Sequence, residues 1–149
     1  MNHAETALTL FSQQYNCAQS VAAAYASDVA MDQATLLSLS CGFGGGIGGL
    51  RRTCGAVLGG IMILGMKHCH ADDPQSKKQV MDLTKQFIQR FQARNDGLDQ
   101  CNDLTKRPTL QIERDAYKVL AAFDGIRPCA KYVVDCVELL DDMLTLPQS

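Results

Sequence analysis

Apolar positions along this chain recur at helical spacing and hardly ever alternate with polar ones. Val80, Leu83, Phe87 and Phe91 are separated by three, four and four residues, and Lys77, Lys78, Lys85 and Arg90 fall off that stripe, as an amphipathic helix requires. Asp72 or Asp73 is expected to cap this helix, with Pro74 in its first turn and Asn95-Asp96-Gly97 at its end. Upstream, residues 4–13 form one helical segment. Asn16 caps another that carries Cys17, Val21 and Ala24 on one side and ends near Asp28; spacing alone leaves open whether 4–27 is continuous. Asp32 starts a third piece, with Leu36, Leu37 and Leu39 inward. Downstream, Asp99 is expected to cap a short turn holding Cys101, and an amphipathic segment spans about 109–123. A last helix opens at Pro128, lines up Cys129, Val133, Cys136 and Leu140, and stops before Pro147. β-branched clusters are short, so strands are not expected. The pattern predicts an all-α fold: a single domain over 1–149 with about five or six helices, in which a glycine-rich loop precedes a central helix.

That central helix stands out. Nine of the twelve glycines fall between positions 42 and 60. The run from Gly42 to Gly49 leads through Arg51, Arg52 and Thr53 into Cys54-Gly55-Ala56-Val57-Leu58-Gly59. Within the helix of residues 54–67, Gly55 and Gly59 are four apart, as are Ala56 and Gly60. Small residues at that spacing make a groove where another backbone can lie close.

Composition narrows the function classes. The chain has 149 residues, 46% hydrophobic and 20% charged, with a net charge of −2. This is globular, and it lacks the basic excess of a nucleic-acid surface. The longest apolar stretch, Cys54 to Met66, falls short of the roughly 20 residues needed to span a bilayer, so no membrane insertion is expected. Met1-Asn2-His3-Ala4-Glu5 does not read as a secretory signal, and a cytoplasmic protein is expected.

In a reducing compartment, cysteine chemistry changes the picture most. There are seven cysteines, at positions 17, 41, 54, 69, 101, 129 and 136. The number is odd and the spacing dispersed, so a complete internal disulfide framework does not fit. Thr53 is a plausible N-cap, which puts Cys54 at the first helical position beside Arg51 and Arg52, where a thiolate is favoured. Cys17, Cys101 and Cys129 are likewise placed in the first turns of predicted helices, with Lys106, Arg107 and Arg127 as further cations. Some of the seven are expected simply to fill space in the core. There is no C-x-x-C, no haem-attachment motif and no ferredoxin spacing. Lys67-His68-Cys69-His70 groups three metal-binding side chains, yet neighbours on a helix diverge by about 100° and do not converge on one ion. The glycine loop before a helix start suits an anion. Gly45, Gly46, Arg51 and Arg52 are its candidate contacts, with a flavin phosphate as one such anion. No strand, Lys-Ser/Thr pair or acidic ribose ligand supports a nucleotide motif. His3, His68 and His70 lack an identifiable carboxylate partner for acid–base catalysis.

Taken together, Tyr15-Asn16-Cys17-Ala18-Gln19, Phe43-Gly44-Gly45-Gly46, the Cys54-to-Gly59 element and two later single cysteines resemble the family named for its C_GCAxxG_C_C pattern, over roughly residues 10–145. The resemblance implies a redox role, with the four characteristic cysteines falling on Cys17, Cys54, Cys101 and Cys129. It also implies an oxidoreductase or transporter partner, since members tend to be encoded near such genes. Cys41, Cys69 and Cys136 lie outside the pattern. The leading expectation is thiol–disulfide exchange or electron transfer centred on Cys54, with Cys17 as resolving sulfur; thiol exchange requires no cofactor. One alternative is a metal or iron–sulfur module held by Cys17, Cys54, Cys101 and Cys129. Another is a non-catalytic helical accessory protein, whose glycine-grooved helix could serve a homodimer.

Overall fold

Short polar side chains set the helix starts. In the computed structural model, which describes residues 1–121, 123 and 127–145, helix α1 (His3–Ser12) and helix α2 (Cys17–Ala23) each open with a capping box. Asn2 pairs with Glu5 in the first, and Asn16 with Gln19 in the second. Each box satisfies two backbone donors that the helix leaves unpaired. Helix α3 (Gln33–Ser40) starts at Asp32, which accepts from the Thr35 amide at 2.9 Å. A single 3-10 turn, Cys41–Phe43, follows and feeds the glycine loop. Then come α4 (Gly55–His68) and α5 (Pro74–Arg94), the latter capped by Asp73 with Pro74 at its first position. Three short helices follow: α6 (Cys101–Leu104), α7 (Leu110–Asp115) and α8 (Lys118–Ala121). Helix α9 (Ala130–Thr145) is the last; the expected stop before Pro147 lies outside the described residues.

The all-α expectation holds among the described residues, which contain no strand, only an isolated antiparallel bridge between Thr53 and Gln100. The helix count exceeds five or six. The segment expected as one helix from 109 breaks at Ala116 into α7 and α8, and residues 4–27 form two helices. Leu39 also departs from expectation: Leu36 is buried, but Leu39 is 55% exposed, one of several apolar residues that the glycine loop region leaves in solvent. Among the described residues, no helix is long and apolar enough to cross a membrane.

Helix α4 is the centre of the packing, in contact with α2, α5 and α9. Its glycines explain how closely it is approached. A Cβ on Gly59 would lie 2.7 Å from the Ala18 carbonyl oxygen of α2, and one on Gly60 would collide with the Phe87 ring of α5. The groove read from the sequence thus receives α2 on one side and an aromatic ring on the other. Phe11, Val21, Val57, Ile63, Leu64, Phe87, Phe91, Val133 and Leu140 complete the core.

One polar cluster is buried among these elements. Asp135 of α9 is fully buried and accepts from Lys131 Nζ (2.8 Å), Asn95 Nδ2 (3.2 Å), Arg94 Nη1 (3.4 Å) and the Tyr117 hydroxyl. Buried charge persists only when paired and hydrogen-bonded in this way. The cluster fastens the end of α5 to α9, and Arg107 extends it by donating to Asn95 Oδ1 (3.1 Å), Asp96 (2.9 Å) and Glu113. The loop between α5 and α7 is thereby held over the start of α9.

The glycine contacts give a paired test. Gly59→Ala pushes a methyl group into a backbone carbonyl that cannot swing away, and is expected to cost about 1–3 kcal/mol. Gly65→Ala, where an added Cβ meets nothing within 4 Å, is expected to gain about 0.5–1 kcal/mol from helix propensity. Urea unfolding of the two variants measures the difference.

Candidate functional site

Four cysteines stand at the starts of four helices, and four separate ties draw those starts together. Cys17 is the first residue of α2, Cys54 is the N-cap of α4, Cys101 is the first residue of α6, and Cys129 directly precedes α9. Cys17 and Cys54 are joined by the close crossing of α2 and α4. A Cβ on Gly55 would sit at van der Waals distance from Cys17 Cβ (3.5 Å) and the Ala18 nitrogen (3.4 Å) and 3.0 Å from the Phe43 carbonyl, so the start of α4 packs directly on the start of α2.

Cys54 and Cys101 are joined by a short antiparallel clasp. The Cys54 amide donates to the Asp99 carbonyl (2.8 Å), the Cys101 amide to the Arg52 carbonyl (2.6 Å), and the Asn102 amide to the Arg51 carbonyl (3.1 Å). Thr53 and Gln100 form the bridge at its middle. This pairing sets Cys54 opposite Asp99, two residues from Cys101, a diagonal relation that brings side chains on one face within reach of each other.

Cys101 and Cys129 are joined through Tyr132, one turn into α9, whose hydroxyl donates to the Leu104 carbonyl of α6 at 2.7 Å. Cys129 and Cys17 are joined by Arg127. Its guanidinium donates to the carbonyls of Phe11 (3.1 Å) and Tyr15 (2.9 Å) and lies 3.8 Å from the centre of the Phe11 ring.

The result is a mutually interacting set of sulfurs. Burial pushes the Cys17 thiol well above its ordinary value; negative charge on Cys54, Cys129 or Cys101 would push it further, and Arg127 opposes. Burial likewise raises Cys54, to about 12, with the Ala56 and Val57 amides opposing and Cys129 and Cys101 adding to the rise. Cys129 is raised by burial and then by Cys101, while Arg127 and Arg51 lower it. Charge on any one of the four would thus disfavour charge on its neighbours, and all seven cysteines are free thiols.

Several local expectations change in this setting. Thr53 does not cap α4: it is taken up by the bridge to Gln100, and Cys54 itself occupies the N-cap position. The Ala56 and Val57 amides face the Cys54 sulfur but fall short of a cap hydrogen bond. The expectation that Cys54 is held as a thiolate fails for the reduced chain, because the residue is 4% exposed and burial outweighs the helix end. Arg51 serves a different sulfur: its Nη1 lies 3.8 Å from Cys101 Sγ. Arg107 is committed to Asp96 and Glu113. Nor does Asp99 cap α6 with its side chain; it contributes its carbonyl to Cys54.

The glycine loop is shaped for contact with Cys101. Gly45, Gly46, Ile47, Gly48 and Gly49 all have positive φ, between 58° and 76°. Such a run is open to glycine and strained for a β-branched residue such as Ile47. Gly46 also has no room for a side chain, since a Cβ there would lie 2.7 Å from Cys101 Cβ and 2.6 Å from the Arg52 nitrogen. The amides from Ile47 to Arg52 donate to carbonyls of residues 42–47. These six amides are consumed within the loop. Gly45 and Gly46 thus shape the loop, while Arg51 and Arg52 remain exposed at its end.

The remaining cysteines divide. Cys41 and Cys69 are exposed. Cys136 is fully buried two turns along α9 from Cys129, and charge on Cys54 or Cys17 raises it. The structure thus places a fifth sulfur beneath the four, which the family pattern did not indicate; its seven-residue spacing from Cys129 is the sequence signal. His68 ends α4, its Nε2 is buried without a hydrogen-bond partner, and burial lowers its pKa. Among the described residues, no three His, Cys, Asp or Glu side chains are arranged to hold one metal ion.

A helical fold that converges four helix starts on a buried set of thiols defines a cysteine-centred class of protein. The family model described as "Putative redox-active protein (C_GCAxxG_C_C)" matches residues 15–143. The chain belongs to that family. No curated protein and no solved structure matches it.

Burial of Cys54 predicts a stability profile with a definite sign. Its thiol titrates near 9.0 when unperturbed and near 12 in the folded chain, so the folded state holds the proton more tightly. The contribution is complete below pH 9 and is lost as pH rises from 9 toward 12. By pH 10 the expected loss is about 1 kcal/mol. Urea midpoints of the reduced protein at pH 7 and pH 10 measure it on top of the parallel losses from Cys17, Cys129 and Cys136, and Cys54→Ser is expected to make the drop smaller by the Cys54 share.

Proposed function

We propose that the four coupled sulfurs form a thiol–disulfide redox centre. In the reduced state they are held as buried thiols. In the oxidised state they are linked as disulfides inside the cluster. Each link formed gives up two electrons and two protons to an incoming disulfide, which leaves as two thiols. Cys17 and Cys54 form the inner pair, and Cys101 and Cys129 the outer one. An oxidoreductase partner is the proposed source of the electrons that return the cluster to thiols.

The observation that carries this reading is that the α2–α4 crossing, the clasp between residues 51–54 and 99–102, the Tyr132–Leu104 bond and Arg127 tie together four separate helix starts, each bearing one of Cys17, Cys54, Cys101 and Cys129. Cysteines used only to fill a core need not gather. Nor would core packing account for Arg51 reaching a cluster sulfur. The raised Cys17, Cys54 and Cys129 thiols accord with a store of electrons that resists stray oxidation, since the thiolate is the reactive form.

Titration with a mild disulfide oxidant, followed by peptide mass mapping, tests the reading. Thiols are expected to disappear in pairs, with cross-links confined to positions 17, 54, 101 and 129. If oxidation touches only the exposed Cys41 and Cys69 while the four remain thiols, the centre is not redox-active.

A further inference from the structure

The four sulfurs are not equivalent in the charge that stands beside them. Cys54 and Cys101 are 4% and 9% exposed, and Cys17 and Cys129 are half-buried, so exposure alone does not single out one sulfur. Cys101 differs from the other three in its neighbours: it lies against the glycine loop, with an otherwise exposed arginine at 3.8 Å from its sulfur. Three features hold it there. Its amide is bonded to the Arg52 carbonyl at 2.6 Å. Gly46 backs its Cβ. The two backbone bonds from residues 101 and 102 anchor the 51–52 segment that carries the arginine. A guanidinium at that distance stabilises negative charge building on the sulfur.

We propose that Cys101, positioned by Gly46 and assisted by Arg51, is the sulfur that attacks the substrate disulfide, with Cys129 as its resolving partner. This rests on the redox reading of the cluster. Cys101, as thiolate, attacks one sulfur of the incoming disulfide. A bond forms between Cys101 Sγ and that sulfur, and the other half departs as thiolate with the bonding electron pair. Cys129, losing its proton to solvent, then attacks Cys101 Sγ and expels the second half as thiolate. The protein ends with a Cys101–Cys129 disulfide and has lost two electrons; the substrate has gained two and takes up two protons. Cys129 is placed for the second step by the Tyr132 bond to Leu104, which joins α6 to α9. Arg51 and Arg127 both favour charge on Cys129.

The test uses the reduced full chain carrying Cys41→Ser and Cys69→Ser, which removes the exposed thiols. The probe is 4,4′-dithiodipyridine. It is uncharged near neutral pH, so an effect of Arg51 reports on the sulfur rather than on attraction of the reagent. With limiting probe, mass mapping is expected to find the first adduct on Cys101. Cys101→Ser is expected to slow the fast phase by roughly tenfold or more, and Arg51→Gln by about threefold to tenfold. Cys129→Ser is expected to halt at a mixed disulfide on Cys101, releasing one thiopyridone per cluster attack instead of two. The parent mapping involves no substitution within the cluster, so it stands even if a cluster variant folds poorly. A first adduct on Cys54 or Cys17, with Cys101→Ser reacting like the parent, overturns the assignment while cross-links within the cluster keep the redox reading. A parent that takes one adduct on Cys101 and never releases the second equivalent overturns the resolving step, whereas the redox reading falls only if no cross-link forms among positions 17, 54, 101 and 129.

Discussion

The close crossing of α2 and α4 is the constraint on which the rest of the structure depends. The Ala18 carbonyl lies where a Cβ on Gly59 would be 2.7 Å away, and Cys17 Cβ lies 3.5 Å from where one on Gly55 would be. A side chain at position 59 would drive the helices apart, and one at position 55 would press on the Phe43 carbonyl 3.0 Å away. Their separation decides whether Cys17 and Cys54 share a site. It also fixes the direction in which residues 51–54 leave α4, and hence whether they can pair with residues 99–102. The glycines of α4 therefore set the geometry of the sulfur cluster as well as the packing of the core.

Two opposing effects act on Cys54, and their sizes decide its state. A helix N-terminus favours negative charge by about 0.3–1 kcal/mol at an exposed site and about 2 kcal/mol in a favourable, partly buried one. Burial together with neighbouring sulfurs moves the thiol from 9.0 to about 12, equivalent to about 4 kcal/mol. Burial wins. The same comparison explains why an arginine matters where Arg51 meets Cys101.

Much of the helical framework was legible because its signals are local. Asn16, Asp32 and Asp73 cap the helices they were expected to cap, since a short side chain and an amide two or three residues ahead are all the chemistry required. Leu83, Phe87 and Phe91 face the core, as their spacing required. The cap of α4 was not legible. Thr53 has the right side chain, but its segment is claimed by pairing with Gln100, 47 residues away in sequence, and no local pattern announces that partner. The break between α7 and α8 was hidden for a similar reason. The segment is periodic, yet Tyr117 is drawn to Asp135 of α9.

The sequence by itself determined the helical class, the glycine-faced central helix and the set of four cysteines, because each depends on residue type and short-range spacing. The tertiary structure alone decided which sulfurs meet, which are sealed from solvent and which cation attends which thiol. Those outcomes depend on contacts between segments tens of residues apart: Arg127 with the carbonyls of Phe11 and Tyr15, Tyr132 with Leu104, and Arg51 with Cys101. Desolvation is likewise a property of the assembled core, so no reading of neighbouring residues could assign it.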